Sequence, residues 1–285
     1  MKFSLETAEV FVPDGLPVAE ALARTTHMAI GAHQDDLEIM ACDGILKCFQ
    51  QEGGWFCGVV VTSGGGSPRD DLYRDHTDEA MRAIRRKEQK KAAVVGEYGA
   101  QILLDHSSAA VKDSGDRRPV EDLGVLLEAA RPRVVYTHNP ADRHDTHVAV
   151  TLGVVEAVRG MAEGARPERL YGCEVWRDLD WMVDADKVAF PLSAHENLQA
   201  ALLGVHDSQI CGGKRYDLAT LGRRRAHATY HQSHGTDAAT GMTYAMDLTP
   251  LMEETSKDVP AFVEEAVERF ARDVSERIRR LQGAP

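Results

Sequence analysis

A chain of 285 residues, 43% hydrophobic and 27% charged, is long and apolar enough to bury a sizeable core and has an ordinary globular composition. Its formal net charge of −12 argues against nucleic acid as a general partner, and no apolar run reaches membrane-spanning length, so no membrane partner is expected. The N-terminus MKFSLETAEVFVPDG lacks a secretory leader's apolar centre, which makes a cytoplasmic location the expectation; the five cysteines, odd in number and without a CxxC pair, read as buried hydrophobes in a reducing compartment.

Residues 26–30 form a short apolar run that reads as a buried parallel strand, and Gly31 lets the chain turn. His33, Asp35 and Asp36 follow within four positions. From Asp36 the pattern turns helical, with Leu37, Met40, Ala41, Ile45 and Cys48 on one face of a helix ending by Gly53. The three polar residues therefore sit in a strand-to-helix loop, where ligands bind in open α/β sheets. Asp35 and Glu38 have capping-box-like spacing, and acidic residues suit a helix's first turn, so capping alone would explain the acids. It leaves His33 unexplained.

Residues 55–62 are rich in β-formers and read as a second strand, followed by a flexible loop at 63–68. That loop is neither a P-loop nor a dinucleotide fingerprint, because no Gly-Lys-Ser/Thr follows and no helix opens on a GxGxxG. A long charged helix is expected over 78–98, strands over 101–104 and 133–137, and a helix over 120–130 between them. This alternation predicts a parallel sheet with right-handed crossovers.

The fourth strand runs into residues 138–147, which hold three histidines and two aspartates and lead into a helix carrying Val150, Leu152, Val155 and Val158. An N-cap at Asp145 or Thr146 explains only one of these polar residues. Two histidine-bearing junctions can converge at a sheet's carboxyl edge, which supplies imidazole and carboxylate ligands for a metal from separate elements. Further strands are expected at 171–176 and 188–190 and a helix at 195–205. The basic run over 215–231, centred on Arg223, Arg224 and Arg225, reads as a solvated helix face or a match for acidic groups of the chain, with an anionic substrate group as a lesser alternative. His227, His231 and His234 lack close carboxylates in the sequence and are taken as surface or subunit-contact residues. Val259–Leu281 reads as an amphipathic helix whose stripe must be covered by the chain itself or by a second copy, which raises a homo-oligomer as a hypothesis.

The motifs AHQDDLE at 32–38, TSGGG at 62–66, Arg85-Arg86-Lys87-Glu88, His144-Asp145-Thr146-His147 and His206-Asp207-Ser208-Gln209 together resemble the LmbE-like (PIG-L) family of metal-dependent N-deacetylases over roughly 26–210. The expected architecture is α/β: one domain over 1–285, a Rossmann-like, mainly parallel sheet with helices on both faces and a core at about 26–210, then a C-terminal helical extension over about 211–285. The resemblance implies that His33, Asp36 and His147 hold a divalent metal, usually zinc, with another divalent metal as the alternative. It makes Asp35 the general base, turns His144 toward the substrate carbonyl, gives Arg85 a substrate contact and leaves Glu38 as a supporting or capping residue. The implied partner is a small N-acetylated sugar or sugar conjugate.

Two positions depart from the family pattern. Gln34 stands where a proline is usual, which alters loop rigidity. Thr146 stands where an aspartate would tune His144, with Asp142 or Asp145 as possible replacements. Removal of an N-acetyl group from a glucosamine-like sugar is the leading function. Two alternatives keep the site and change its use: a hydratase acting on an unsaturated carboxylate, or a non-catalytic metal- or sugar-binding protein, which a free Asp35 carboxylate disfavours.

Overall fold

The structure, a computed structural model, describes residues 1–283. Strand β1 (Glu9–Phe11) and helix α1 (Val18–Ala23) precede β2 (His27–Gly31), α2 (Asp36–Met40), α3 (Cys42–Cys48) and β3 (Phe56–Thr62). The alternation continues through α4 (Asp78–Val95), β4 (Ala100–His106), α5 (Ser108–Lys112), α6 (Arg118–Ala130), β5 (Val134–His138), α7 (Asp145–Gly160) and β6 (Arg169–Cys173). Last come β7 (Lys187–Pro191), α8 (Glu196–Gly204), α9 (Asp207–Ile210), α10 (Tyr216–Tyr230), β8 (Met242–Asp247), α11 (Thr249–Glu253) and α12 (Val259–Leu281).

All eight strands form one sheet in the order β1-β4-β3-β2-β5-β6-β8-β7. The run from β4 to β6 is parallel, while β1 pairs antiparallel with β4 and β8 pairs antiparallel with both β6 and β7. The chain builds outward from β2 to β4 and then crosses back to lay β5 on the other side of β2. The switch point between β2 and β5 is where such sheets bind ligands at their carboxyl ends.

Both faces of the sheet are covered, which is why its central strands read as unbroken apolar runs. Met28, Ile30, Cys57, Val59, Ile102 and Leu104 pack on one side with α1, α6, α7 and α11. Ala29, Val60 and Leu103 pack on the other with α2, α3 and α8. At Gly31 a Cβ would lie 3.0 Å from Leu37 and 3.1 Å from the Asp36 Cβ, so the missing side chain lets the first turn of α2 close over the strand end.

Three expectations are revised. The helix expected from Asp36 is broken at Ala41 (φ −109°, ψ 24°) into α2 and α3, yet Leu37, Met40, Ile45 and Cys48 keep one buried side. Past the break α3 presses on Tyr136, where a Cβ on Gly44 would come within 2.6 Å of the ring. The helix expected over 78–98 ends at Val95, and Tyr98 turns into the core. The segment expected to be helical after residue 211 supplies β8, because MTYAMD finds a strand partner on each edge. Among the described residues no helix is long and apolar enough to cross a membrane.

Candidate metal centre

The loop after β2 is pinned before any ligand is considered. The Ala32 carbonyl accepts from both the backbone N–H and the hydroxyl of Thr62 at the end of β3 (2.9 and 2.7 Å), and the Ala32 N–H donates to His138 Nε2 at the end of β5 (2.9 Å). Three strand ends are thereby tied together at the switch point. The His33 N–H donates to Asp36 Oδ2 at 2.6 Å, which fixes the carboxylate under the turn.

Asp36 Oδ2 then stands 3.3 Å from His33 Nδ1, 3.4 Å from His138 Nε2 and 3.5 Å from His147 Nε2. His33 Nδ1 and His147 Nε2 are 3.2 Å apart. The donor atoms of His33, Asp36 and His147 thus gather into a group able to hold a metal ion. Behind His147, Asp142 Oδ2 faces Nδ1 at 3.5 Å, an arrangement that turns Nε2 toward the centre. The same carboxylate accepts from the backbone N–H groups of His144 and Trp176, both at 3.1 Å, so Asp142 is locked in place.

The electrostatics follow from burying one acid among several imidazoles. Burial opposes charge on Asp36, but His147, His138 and His33 hold its carboxyl well below the usual range. Burial pushes His138 down to about 4, helped by neighbouring His147. Burial also works against charge on His147, yet Asp36 and Asp142 prevail and raise it.

Asp35 differs from its neighbour. Its backbone lies in the left-handed region (φ 101°), which costs a non-glycine residue about 1–3 kcal/mol, and it makes no side-chain cap to α2. Burial pushes its carboxyl up to about 7, against the Arg85 guanidinium 3.5 Å away and with the push of Asp36. The capping account fails for Glu38 too: it accepts from Tyr98 Oη (2.7 Å) and Gln89 Nε2 (2.9 Å) and pairs with His206 Nε2 (3.0 Å).

Arg85 is buried and clamps two loops, donating to the Gly64 carbonyl (3.0 Å) and the Gln34 carbonyl (2.6 Å) beside Asp35. Gln34 reaches Thr62 and Ser63 carbonyls at 3.2 and 3.4 Å, so it ties loops together where a proline would only stiffen one. His144 lines the cleft with its ring 4.6 Å from that of His147, and its Nδ1 is buried without a partner. Thr146 lines the cleft as well, and Asp142 serves His147 and a backbone N–H of His144 in place of the His144 ring.

Sequence reasoning missed His138 as part of the centre. It stacks on His147 with centroids 3.8 Å apart, and its position as the last residue of β5 was the available signal. Two surface assignments are also overturned. His227 is buried and paired with Glu174 at 3.0 Å. Arg224 is buried, donating to Gln199 Oε1 (3.0 Å) and the Glu38 carbonyl (2.8 Å), so it is neither on a solvated face nor matched to an acid, whereas Arg225 is exposed and Arg215 pairs with Asp217 as the run's two main readings expect. The HxSQ motif is structural support: Glu88 accepts from the Ser208 backbone N–H (2.7 Å) and hydroxyl (2.6 Å).

The centre opens into a cleft of about 730 Å³ bounded by the loop at 63–68, by Lys112 and by Trp176, Lys214 and Tyr216. Residues 28–158, which carry His33, Asp35, Asp36, His138 and His147, match the family model "PIG-L: GlcNAc-PI de-N-acetylase". This segment is similar to the PIG-L family. Over 148 residues the chain is 27% identical to the "Uncharacterized deacetylase YaiS" of Escherichia coli (strain K12), covering 52% of this chain and 76% of that one. The chain shares its fold with N,N'-diacetylchitobiose deacetylase of Pyrococcus horikoshii (TM-score 0.58, 17% identity, 77% of this chain and 83% of that one). The fold is shared equally with GalB, the 4-carboxy-2-hydroxymuconate hydratase of Pseudomonas putida KT2440 (TM-score 0.61, 15% identity, 79% and 96%).

Proposed function

We propose that this protein is a metal-dependent hydrolase that removes an N-acetyl group from a glucosamine-like sugar or sugar conjugate. The observation that carries the reading is the His33, Asp36 and His147 donor group at the edge of an open cleft, with the separate carboxyl of Asp35 beside it. Two imidazoles and one carboxylate fit a divalent cation, and three protein ligands leave room for water and substrate, as in catalytic rather than structural sites. A cation held there, zinc being the ion this set suits, supplies Lewis acidity toward a water and an amide carbonyl.

The chain's own residues supply the rest. Asp35, balanced near neutral pH, takes a proton from the water as its oxygen attacks the acetamide carbon. His144, which lines the same cleft, faces the developing oxyanion. When the C–N bond breaks, the proton passes to the leaving nitrogen through Asp35 or His144, giving acetate and a free amine. Arg85 acts first on Asp35 and the loop carrying it, so its influence on substrate passes through that loop. A pure binding site has no use for an acid held in strained backbone next to its ligands.

The same reading places the enzyme in the cytoplasm, consistent with five free cysteines, and treats the chain as one unit because β8 completes the sheet. It includes self-association through α12, on which Val267, Phe270, Ile278 and Leu281 are exposed. The decisive experiment measures acetate release and bound metal on one sample across a panel of N-acetylglucosamine conjugates, with an unsaturated carboxylate as control. Acetate release that tracks metal content and stops on chelation is expected. No acetate from a metal-replete sample, or hydration of the control instead, overturns the reading.

A further inference from the structure

The cleft continues past the metal centre. A second cavity of about 250 Å³ opens beside it, and the two share Ile39, Val175, Trp176, Lys214 and Tyr216 as a common wall. Trp176 is the hinge between them. Its ring centroid lies 6.2 Å from that of His144 on one side and 6.2 Å from that of Tyr216, edge-on, on the other. Anything long enough to reach from the metal centre past Trp176 enters an aromatic annex.

The charges of the annex are already committed, with one exception. Arg215 is closed on Asp217 by two hydrogen bonds of 3.0 and 2.7 Å, and Arg223 donates to the Val175 carbonyl at 2.6 Å. The Lys214 ammonium sits 5.3 Å from the Trp176 ring centroid and forms no ion pair among the described residues. In a chain with an acidic surplus of twelve charges, a lysine left unpaired at the junction of two cavities is available to a ligand.

Size narrows the chemistry. A dry apolar cavity of about 150 Å³ takes a benzene ring, so the annex, at about 250 Å³, has room for one ring with a substituent. Flat aromatic walls favour an aromatic ring, which gains from offset or edge-to-face contact beyond simple burial. One ammonium matches one unit of negative charge.

We propose that the annex binds the part of the substrate remote from the acetamide, and that this part is a single aromatic ring bearing a carboxylate. The ring packs against the wall that Trp176 and Tyr216 form together, and the carboxylate meets Lys214. The inference rests on the deacetylase reading for which end of the substrate reaches the metal centre.

The test uses three non-hydrolysable ligands, the methyl, phenyl and 4-carboxyphenyl β-D-glucosaminides, titrated calorimetrically into the metal-containing protein. The phenyl glycoside is expected to bind about tenfold more tightly than the methyl one, and the carboxyphenyl glycoside about threefold more tightly again. Lys214→Met should abolish the second gain and keep the first. Ala219→Phe, at an exposed position lining the annex, should abolish the first by filling the space. Equal dissociation constants for the three ligands, or both gains surviving in Ala219→Phe, would overturn the proposal. Acetate release from the corresponding N-acetyl glycosides is measured separately. If none is released while the binding order holds, the deacetylase reading fails and the annex stands.

Discussion

Two buried acid–histidine clusters sit on the same sheet, and they differ in how completely their hydrogen bonds are satisfied. Near β8, Glu174 accepts four: Oε1 from the Leu179 N–H (2.6 Å) and from His227 Nε2 (3.0 Å), Oε2 from the Thr243 hydroxyl (3.0 Å) and the Tyr244 N–H (2.9 Å). At the switch point, His138 Nδ1, His144 Nδ1, Gln34 Oε1 and Arg85 Nε are buried and have no partner. An unmade buried hydrogen bond costs about 1–3 kcal/mol, so a fold tolerates several in one place only where something else uses them. Composition alone does not separate these clusters; satisfaction does. The complete one reads as a strut and the incomplete one is the candidate site.

The sharpest way to break that contrast is to remove a donor from the incomplete cluster. His33→Ala and His147→Ala should each lose bound metal, measured by elemental analysis, and with it acetate release by roughly a thousandfold or more, beyond the 10–100-fold typical of supporting residues. Stoichiometric metal in both variants would dissolve the proposed centre. Asp35→Asn separates chemistry from binding within the cluster: metal should stay and turnover should fall by about two to four orders of magnitude. Near-normal turnover in that variant would assign the proton transfer to another group.

Asp142→Asn probes the boundary between strut and site, because that carboxylate orients His147 while also accepting two backbone N–H groups. Metal affinity should weaken by about 10–100-fold, read by chelator competition, with the fold intact. Unchanged affinity would confine Asp142 to the scaffold.

The complete cluster should respond in the opposite currency. Glu174→Gln is expected to lower stability by about 2–3 kcal/mol in urea unfolding while leaving metal content alone. Burial works to raise the Glu174 carboxyl, but His227 and the N–H groups of Tyr244 and Leu179 hold it below its ordinary value of 4.5. A depressed folded value means that this stabilisation is present above about pH 4.5 and disappears as the pH falls through the folded value. The gap between native protein and variant should therefore close in acid. A gap that widens there would contradict the pairing.

The smallest expected effect concerns α12, the least embedded element. Its first half carries Glu264, Glu265 and Glu268 and its second half Arg277, Arg279 and Arg280, so two copies side by side and antiparallel would set opposite charges together. Deleting 259–285 should lower the mass in solution by more than the deleted residues while turnover persists. A monomeric full-length chain would remove the assembly.

Much of the candidate site was legible in the sequence because its residues cluster locally. His33, Asp35 and Asp36 occupy one turn, and His144 and His147 another, and each turn follows an apolar run that announces a strand end. Arg85 and Glu38 were visible as motif members, but what they do was not: one clamps the loop at 63–66 and the other anchors His206, contacts that join positions 21 and 168 residues apart. His138 carried a positional signal at the end of its strand, whereas His227 gave none until Glu174 was in place.

The sequence by itself determined the alternation of strands and helices, the two junctions that bear histidine and the amphipathic run of α12, because each is a short-range pattern of polarity that one element must satisfy. Only the tertiary structure decided that β8 enters the sheet, that helix 36–48 breaks at Ala41, that Asp35 turns away from its helix and that Glu174 closes four hydrogen bonds. Those outcomes depend on pairing between distant segments, where burial fixes the cost of every polar atom and the available partner decides its role.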